Sequence, residues 1–266
     1  MKGFELWMKK GTWLLIASLS IFLAACQSEQ VENNFPANEP LVENNPPDSE
    51  QESVTIEEIP AKDQMKEPYQ LKKSTYQNGG FLIHYPQLTQ MEDKLKEQQI
   101  NELLEKEILE YVAQYEDVDA TLTMDYEVML NTPYTLSIRY TGDYYFKGGM
   151  YPSYLLFTTN LDLPNGEKLR LDDFVQVNEE FIKKFKSVPY MDRENPPNEE
   201  LTNAVKDYVE SMNPSVLKQA FDQADLPNLN DNQHGIFTFI QDDALIISIQ
   251  VPHVIGDHVE FKMELD

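Results

Sequence analysis

The chain has 266 residues and carries 46 acidic against 21 basic side chains, a net charge of −25. A field of that sign opposes nucleic acid, anionic phospholipid and polyanionic wall polymers, and favours basic proteins and cations. Its single cysteine, Cys26, excludes internal disulfides and cysteine-rich metal sites.

Lys2, Lys9 and Lys10 precede an uncharged run from Thr12 to Ala25. This is the anatomy of a secretory leader, and the run is too short to span a bilayer as a helix. It closes on Leu23-Ala24-Ala25-Cys26, a lipoprotein cleavage box. The spacing predicts a signal peptide over residues 1–25 and a diacylglyceryl group on Cys26. Such a lipid would hold the protein on the outer face of a cell membrane. Loss of Lys2, Glu5, Lys9 and Lys10 with the leader deepens the net charge from −25 to −27. Residues 26–66 are rich in Glu, Asn, Pro, Asp and Ser and have no Lys or Arg before Lys62. They hold too little apolar surface to fold and read as an acidic tether, with a typical end-to-end distance of roughly 35 Å.

About 200 residues then remain, enough for one domain or two packed halves. An extended segment from Gly80 to Tyr85 is expected to stop at Pro86, with Thr89 and Glu92 at the spacing of a capping box. Leu95, Ile100, Leu103, Leu104, Ile108, Tyr111, Val112 and Tyr115 recur at intervals of mostly three or four, predicting one long amphipathic helix over 91–115. Leu122 to Leu130 and Tyr134 to Tyr140 alternate apolar and polar around Asn131-Thr132-Pro133, an antiparallel hairpin. A third strand is expected from Tyr154 to Asp162, turning through Pro164-Asn165-Gly166 into Leu169-Arg170-Leu171. Helices follow at 179–186, 198–212 and 214–221, then strands at 236–240, 244–251 and 259–263. Segregated elements of this order predict an α+β fold, divided here into a first module over 67–150 and a second over 151–266.

Four histidines are present: His84, His234, His253 and His258. His253 and His258 stand five apart with no glutamate between, which is not the spacing of a metalloprotease helix, and no metal is expected. Residues 160–166 resemble a calcium loop only faintly, since proline takes the fifth place and Leu171 the place of the bidentate glutamate. A hairpin turn explains them better. The pairs Asp172-Asp173 and Asp242-Asp243 show no spacing that marks a glycosidase. No serine elbow or phosphate loop occurs, and no cofactor is predicted. Aromatic side chains crowd the segment around Gly148-Gly149. Tyr144, Tyr145, Phe146, Gly148, Gly149, Tyr151 and Tyr154 are the candidate ligand-binding residues, because aromatics on a glycine-containing loop supply contact area at little rotamer cost. Alternate members of the same segment also suit a sheet core.

Ile83-His84-Tyr85-Pro86-Gln87, Gln99-Ile100-Asn101 and Leu136-Ser137-Ile138 resemble the opening of an extracytoplasmic module of bacilli. That module occurs in the lysozyme-sensing anti-sigma factors of the RsiV type and ahead of the catalytic domain of a peptidoglycan deacetylase. Gly148-Gly149, Tyr151-Pro152, Asn160-Leu161-Asp162-Leu163, Asp173-Phe174 and Val251-Pro252-His253-Val254-Ile255-Gly256-Asp257 resemble a second module of the same proteins. The likeness runs over about residues 69–266. Tyr151-Pro152 departs from the His-Pro frequent in that family, and a lipid anchor replaces its spanning helix and sigma-binding segment. The resemblance therefore implies a non-enzymatic binding or sensing module on a Gram-positive membrane, with a basic protein such as lysozyme or a cell-wall ligand as partner and no nucleic acid. The alternative is an enzyme or accessory acting on peptidoglycan, with His253, Asp257 and His258 as its nominees.

Overall fold

Six strands build the larger sheet: β1 (Gln70–Asn78), β2 (Phe81–Thr89), β3 (Ala120–Asn131), β4 (Thr135–Phe146), β5 (Ser153–Asp162) and β6 (Glu167–Leu169), in that spatial order. The structure, a computed structural model, describes residues 68–116, 119–191 and 198–265. The expected leader, Cys26 and the tether over 26–66 lie outside them. Neighbouring strands are antiparallel except β2 and β3, which pair in parallel over Phe81–Ile83. A parallel pair needs a crossover, and α1 (Lys94–Ala113) provides it.

α1 starts at Asp93, whose side chain accepts from the Leu95 and Lys96 amides at 3.0 Å each. The expected Thr89–Glu92 box is not the cap, because β2 runs on to Thr89. Pro86 does not stop that strand: β3 leaves β2 at Ile83, so Pro86 has a strand neighbour only in β1. Ile100, Leu104, Ile108, Tyr111 and Val112 of α1 are buried against the sheet, but Leu95, expected in the same stripe, is exposed and Glu107 is buried.

The second sheet is an antiparallel meander of β7 (Phe237–Gln241), β8 (Ala244–Gln250) and β9 (His258–Glu264). Between the sheets in sequence come α2 (Leu171–Phe174), α3 (Glu179–Ser187), α4 (Glu199–Ser211) and α5 (Pro214–Asp222). The fold is thus α+β, as segregated elements predict. The first core draws on Tyr69 to Leu163 plus Phe237, and the second on Leu171 to Met263. The expected division between residues 150 and 151 falls inside one sheet, because β5 pairs with β4 from Thr135↔Asp162 to Tyr144↔Ser153. The change of core comes after β6 instead. No helix among the described residues is long and apolar enough to cross a membrane.

Polar side chains join the two cores. Asp225, fully buried, accepts from the Thr238 amide (2.6 Å), Thr238 Oγ1 (2.8 Å), the Leu171 amide (2.8 Å) and Thr158 Oγ1 (3.5 Å). Lys168 Nζ donates to the Asp225 carbonyl and to Glu107 Oε1 at 2.8 Å. Asn160 Nδ2 donates to the Thr238 carbonyl (2.8 Å) and Ser137 Oγ accepts from the Ile240 amide (2.9 Å), which fixes β7 across β4 and β5.

Burial pushes the Asp225 carboxyl up to about 6, against the pull of Lys168 and of its donors. A folded pKa above the unfolded value means that its contribution to stability is fully present below about 4 and lost as pH rises through about 6. Asp225→Asn keeps the shape but turns an amide nitrogen toward at least one of these donors. At pH 5 it is expected to cost about 1–3 kcal/mol, lowering the melting temperature by roughly 2–4 °C for each kcal/mol. Melts between pH 4 and 6 are also expected to show a flatter decline in the variant than in the wild type.

Candidate functional site

The turn between β4 and β5 meets the loop between β8 and β9, about a hundred residues later in the chain. Gly148 adopts φ +99° in the turn, a conformation that favours glycine, and the Gly149 amide closes it on the Phe146 carbonyl at 2.8 Å. In the second loop a 3-10 turn (His253–Ile255) leads through Gly256 at φ +111° into Asp257, with the Val251 amide bonded to the Asp257 carbonyl at 2.8 Å.

Asp257 ties the two loops together. Its Oδ2 accepts from the Tyr154 amide at 2.9 Å, and both oxygens lie 3.0 Å from His253 Nδ1. The His253 ring stacks on Tyr151 at 5.9 Å and 23°. This clamp holds out an apolar rim: Phe146 is 45% exposed, Met150 85%, Tyr151 67% and Val254 86%. Single exposed apolar residues are ordinary, but several on two tied loops make this the candidate surface.

The seven candidate residues separate by position. Tyr145, Phe146 and Tyr151 are exposed. Gly148 and Gly149 shape the turn, and Tyr154, half-buried, supplies the amide held by Asp257. Tyr144 is different: its ring lies 5.2 Å from Tyr115 against the first core, and it is not part of the rim. Tyr144 has the parity of Leu136, Ile138 and Tyr140, and Phe146 shares it but lies at the end of the strand, where it is exposed. Met150, Val254, His253 and Asp257 complete the surface and were not among the ligand-binding candidates.

His253 and His258 do not converge. His253 turns to Asp257, while His258 Nδ1 lies 3.5 Å from Ser248 Oγ. Among the described residues no three His, Cys, Asp or Glu side chains gather to hold a metal. The calcium-like segment forms the β5–β6 turn, with the Asn165 amide on Asp162 Oδ1 at 3.1 Å. Asp173 caps the Arg170 amide at 2.8 Å, and Asp242 lies in the turn between β7 and β8.

Burial, and then the Arg139 guanidinium, push the His258 ring down to about 4, against the pull of Asp257. A depressed folded pKa gives stability that is present above about 6.5 and lost as pH falls toward 4. His258→Gln is therefore expected to lose less melting temperature than the wild type between pH 6.5 and pH 4.5, measured by circular dichroism in matched buffers. An equal loss in both proteins would show that His258 titrates normally in the fold.

No family model matches the chain, and no curated protein matches it. Among solved structures, it is similar to a DUF3298 family member from Bacteroides fragilis at 15% identity and a TM-score of 0.44, over 75% of this chain and 92% of that one. It is also similar to a DUF3298 family protein from Pseudomonas aeruginosa at 14% identity and a TM-score of 0.40, over 75% of this chain and 91% of that one.

Proposed function

We propose that the protein is a non-enzymatic docking module, held by a lipid on Cys26 outside a Gram-positive membrane, that binds a basic envelope protein of the lysozyme kind. The observation that carries this reading is the clamped apolar rim of Phe146, Met150, Tyr151 and Val254 on a chain of net charge −25. An acidic field draws a basic partner in and orients it. Exposed aromatic side chains on a fixed loop then supply contact area with little ordering cost, and Met150 adds an adaptable thioether. The resemblance in the 148–152 and 251–257 segments supports the same reading, because the clamp joins those two stretches.

Titration calorimetry of the protein with lysozyme, at low and moderate salt and beside an equally basic unrelated protein, tests it. Tight binding that the control does not reproduce and that weakens with salt is the expected result. Tyr151→Ala and Met150→Glu are each expected to weaken binding about tenfold or more without shifting the melting temperature. No detectable binding of any basic protein at low ionic strength would overturn the reading.

A further inference from the structure

A cavity of about 200 Å³ opens between β4, β5 and β9, beside the clamp but not part of its rim. Arg139 lines it, with a side chain that is only 10% exposed. Its Nε lies 2.9 Å from Glu260 Oε1, its Nη1 lies 3.1 Å from Glu127 Oε2, and its guanidinium sits 5.8 Å from the centre of the Phe239 ring. Three neighbours therefore hold the fork rigid. Tyr190 is placed by a bridge to Phe261 and by the Met191 amide, which donates to the Glu260 carbonyl at 2.9 Å. Tyr154 and His258 complete the polar wall, and Leu156 supplies an apolar one.

The charges narrow the ligand. An anion entering the cavity meets the Glu260 carboxylate and a guanidinium already paired with Glu260 and Glu127, and a cation meets that guanidinium. Burial keeps the His258 ring uncharged at neutral pH. A neutral ligand faces neither penalty, and the wall offers it donors and acceptors together: a planar guanidinium, a carboxylate, an imidazole and two phenols. Vicinal hydroxyls suit that mixture, and the apolar face of a sugar ring suits a tyrosine. The volume lies below the roughly 300–1,000 Å³ of sites for drug-sized ligands, so it admits a single ring. We infer that this cavity, walled by Arg139, Tyr154, Tyr190, His258 and Glu260, binds one neutral saccharide ring. The site stands independently of protein docking at the rim.

Saturation-transfer NMR on the full chain tests the assignment, with an N-acetylglucosamine trisaccharide and a glucose trisaccharide as probes at millimolar concentration. Transfer to the ring protons of at least one trisaccharide is expected. Tyr190→Phe, which removes one hydroxyl, is expected to weaken binding roughly fivefold. Arg139→Lys removes the planar fork while keeping the charge, and is expected to abolish it. Should Arg139→Lys fail to fold, Tyr190→Phe and His258→Gln carry the test. Met150→Glu is expected to leave the sugar signal intact, which separates this site from protein docking. Absence of transfer from both sugars overturns the inference, as does a signal that Tyr190→Phe and His258→Gln leave unchanged. Loss of the signal in Met150→Glu would move the sugar to the rim and overturn it too.

Discussion

Asp225 is a carboxylate buried away from solvent that accepts from β5, from the start of α2 and twice from β7. Burying such a group costs several kcal/mol unless its lone pairs are met, and here four donors meet them. It adopts φ +64°, and its amide is bonded to the Ile236 carbonyl at 2.9 Å. Lys168 extends the constraint, since one ammonium is shared between the Asp225 carbonyl and Glu107 on the opposite face of the sheet. Burial pushes the Glu107 carboxyl up while Lys168 pulls it down, so that pair too holds only as a unit. A helix, the end of the first sheet, the loop after α5 and the first strand of the second sheet are joined through these three side chains.

The position of the apolar rim follows from that junction. With Thr238 held by Asp225 and Asn160, β7 crosses β4 and β5 at one register, and the antiparallel pairing of β7, β8 and β9 fixes where β9 begins. The loop from Val251 to Asp257 must then end beside β5, close enough for Asp257 to accept from the Tyr154 amide. Rim side chains arriving from two distant parts of the chain need this: Asp257 joins the loops, and the sheets set where they meet.

Much of the fold is legible because its elements bury one face. β3 alternates buried and exposed residues from Ala120 to Asp125, β4 keeps the alternation of residue type although both its faces are covered from Leu136 to Tyr140, and α3, α4 and α5 present Phe181 and Phe185, Val205 and Val209, Leu217 and Phe221 at helical spacing to one core. β1 escapes notice for the opposite reason: it is an edge strand, largely exposed, and Gln70 to Asn78 carries no apolar rhythm. Glu107 is equally silent, since a glutamate in a helix reads as solvated until Lys168, 61 residues away, is brought to it. In the site, the aromatic crowd around Gly148 is visible in the sequence, whereas Asp257 gains its meaning from an amide 103 residues away. No local pattern encodes that contact.

In the proposed docking, charge and apolar surface would have separable parts. Long-range attraction between an acidic chain and a basic partner raises the rate of encounter and is screened beyond about 8 Å at physiological salt. Partner contacts within the rim would be short-ranged and would act on the rate of escape. The clamp bears on the second part: were Tyr151 and Val254 on untied loops, each binding event would include the entropy of ordering them. Because Asp257 and His253 set that geometry in the free protein, the ordering cost of the proposed docking would be met in folding, and the stability of the Asp225 junction would become a condition for tight docking as well as for the fold.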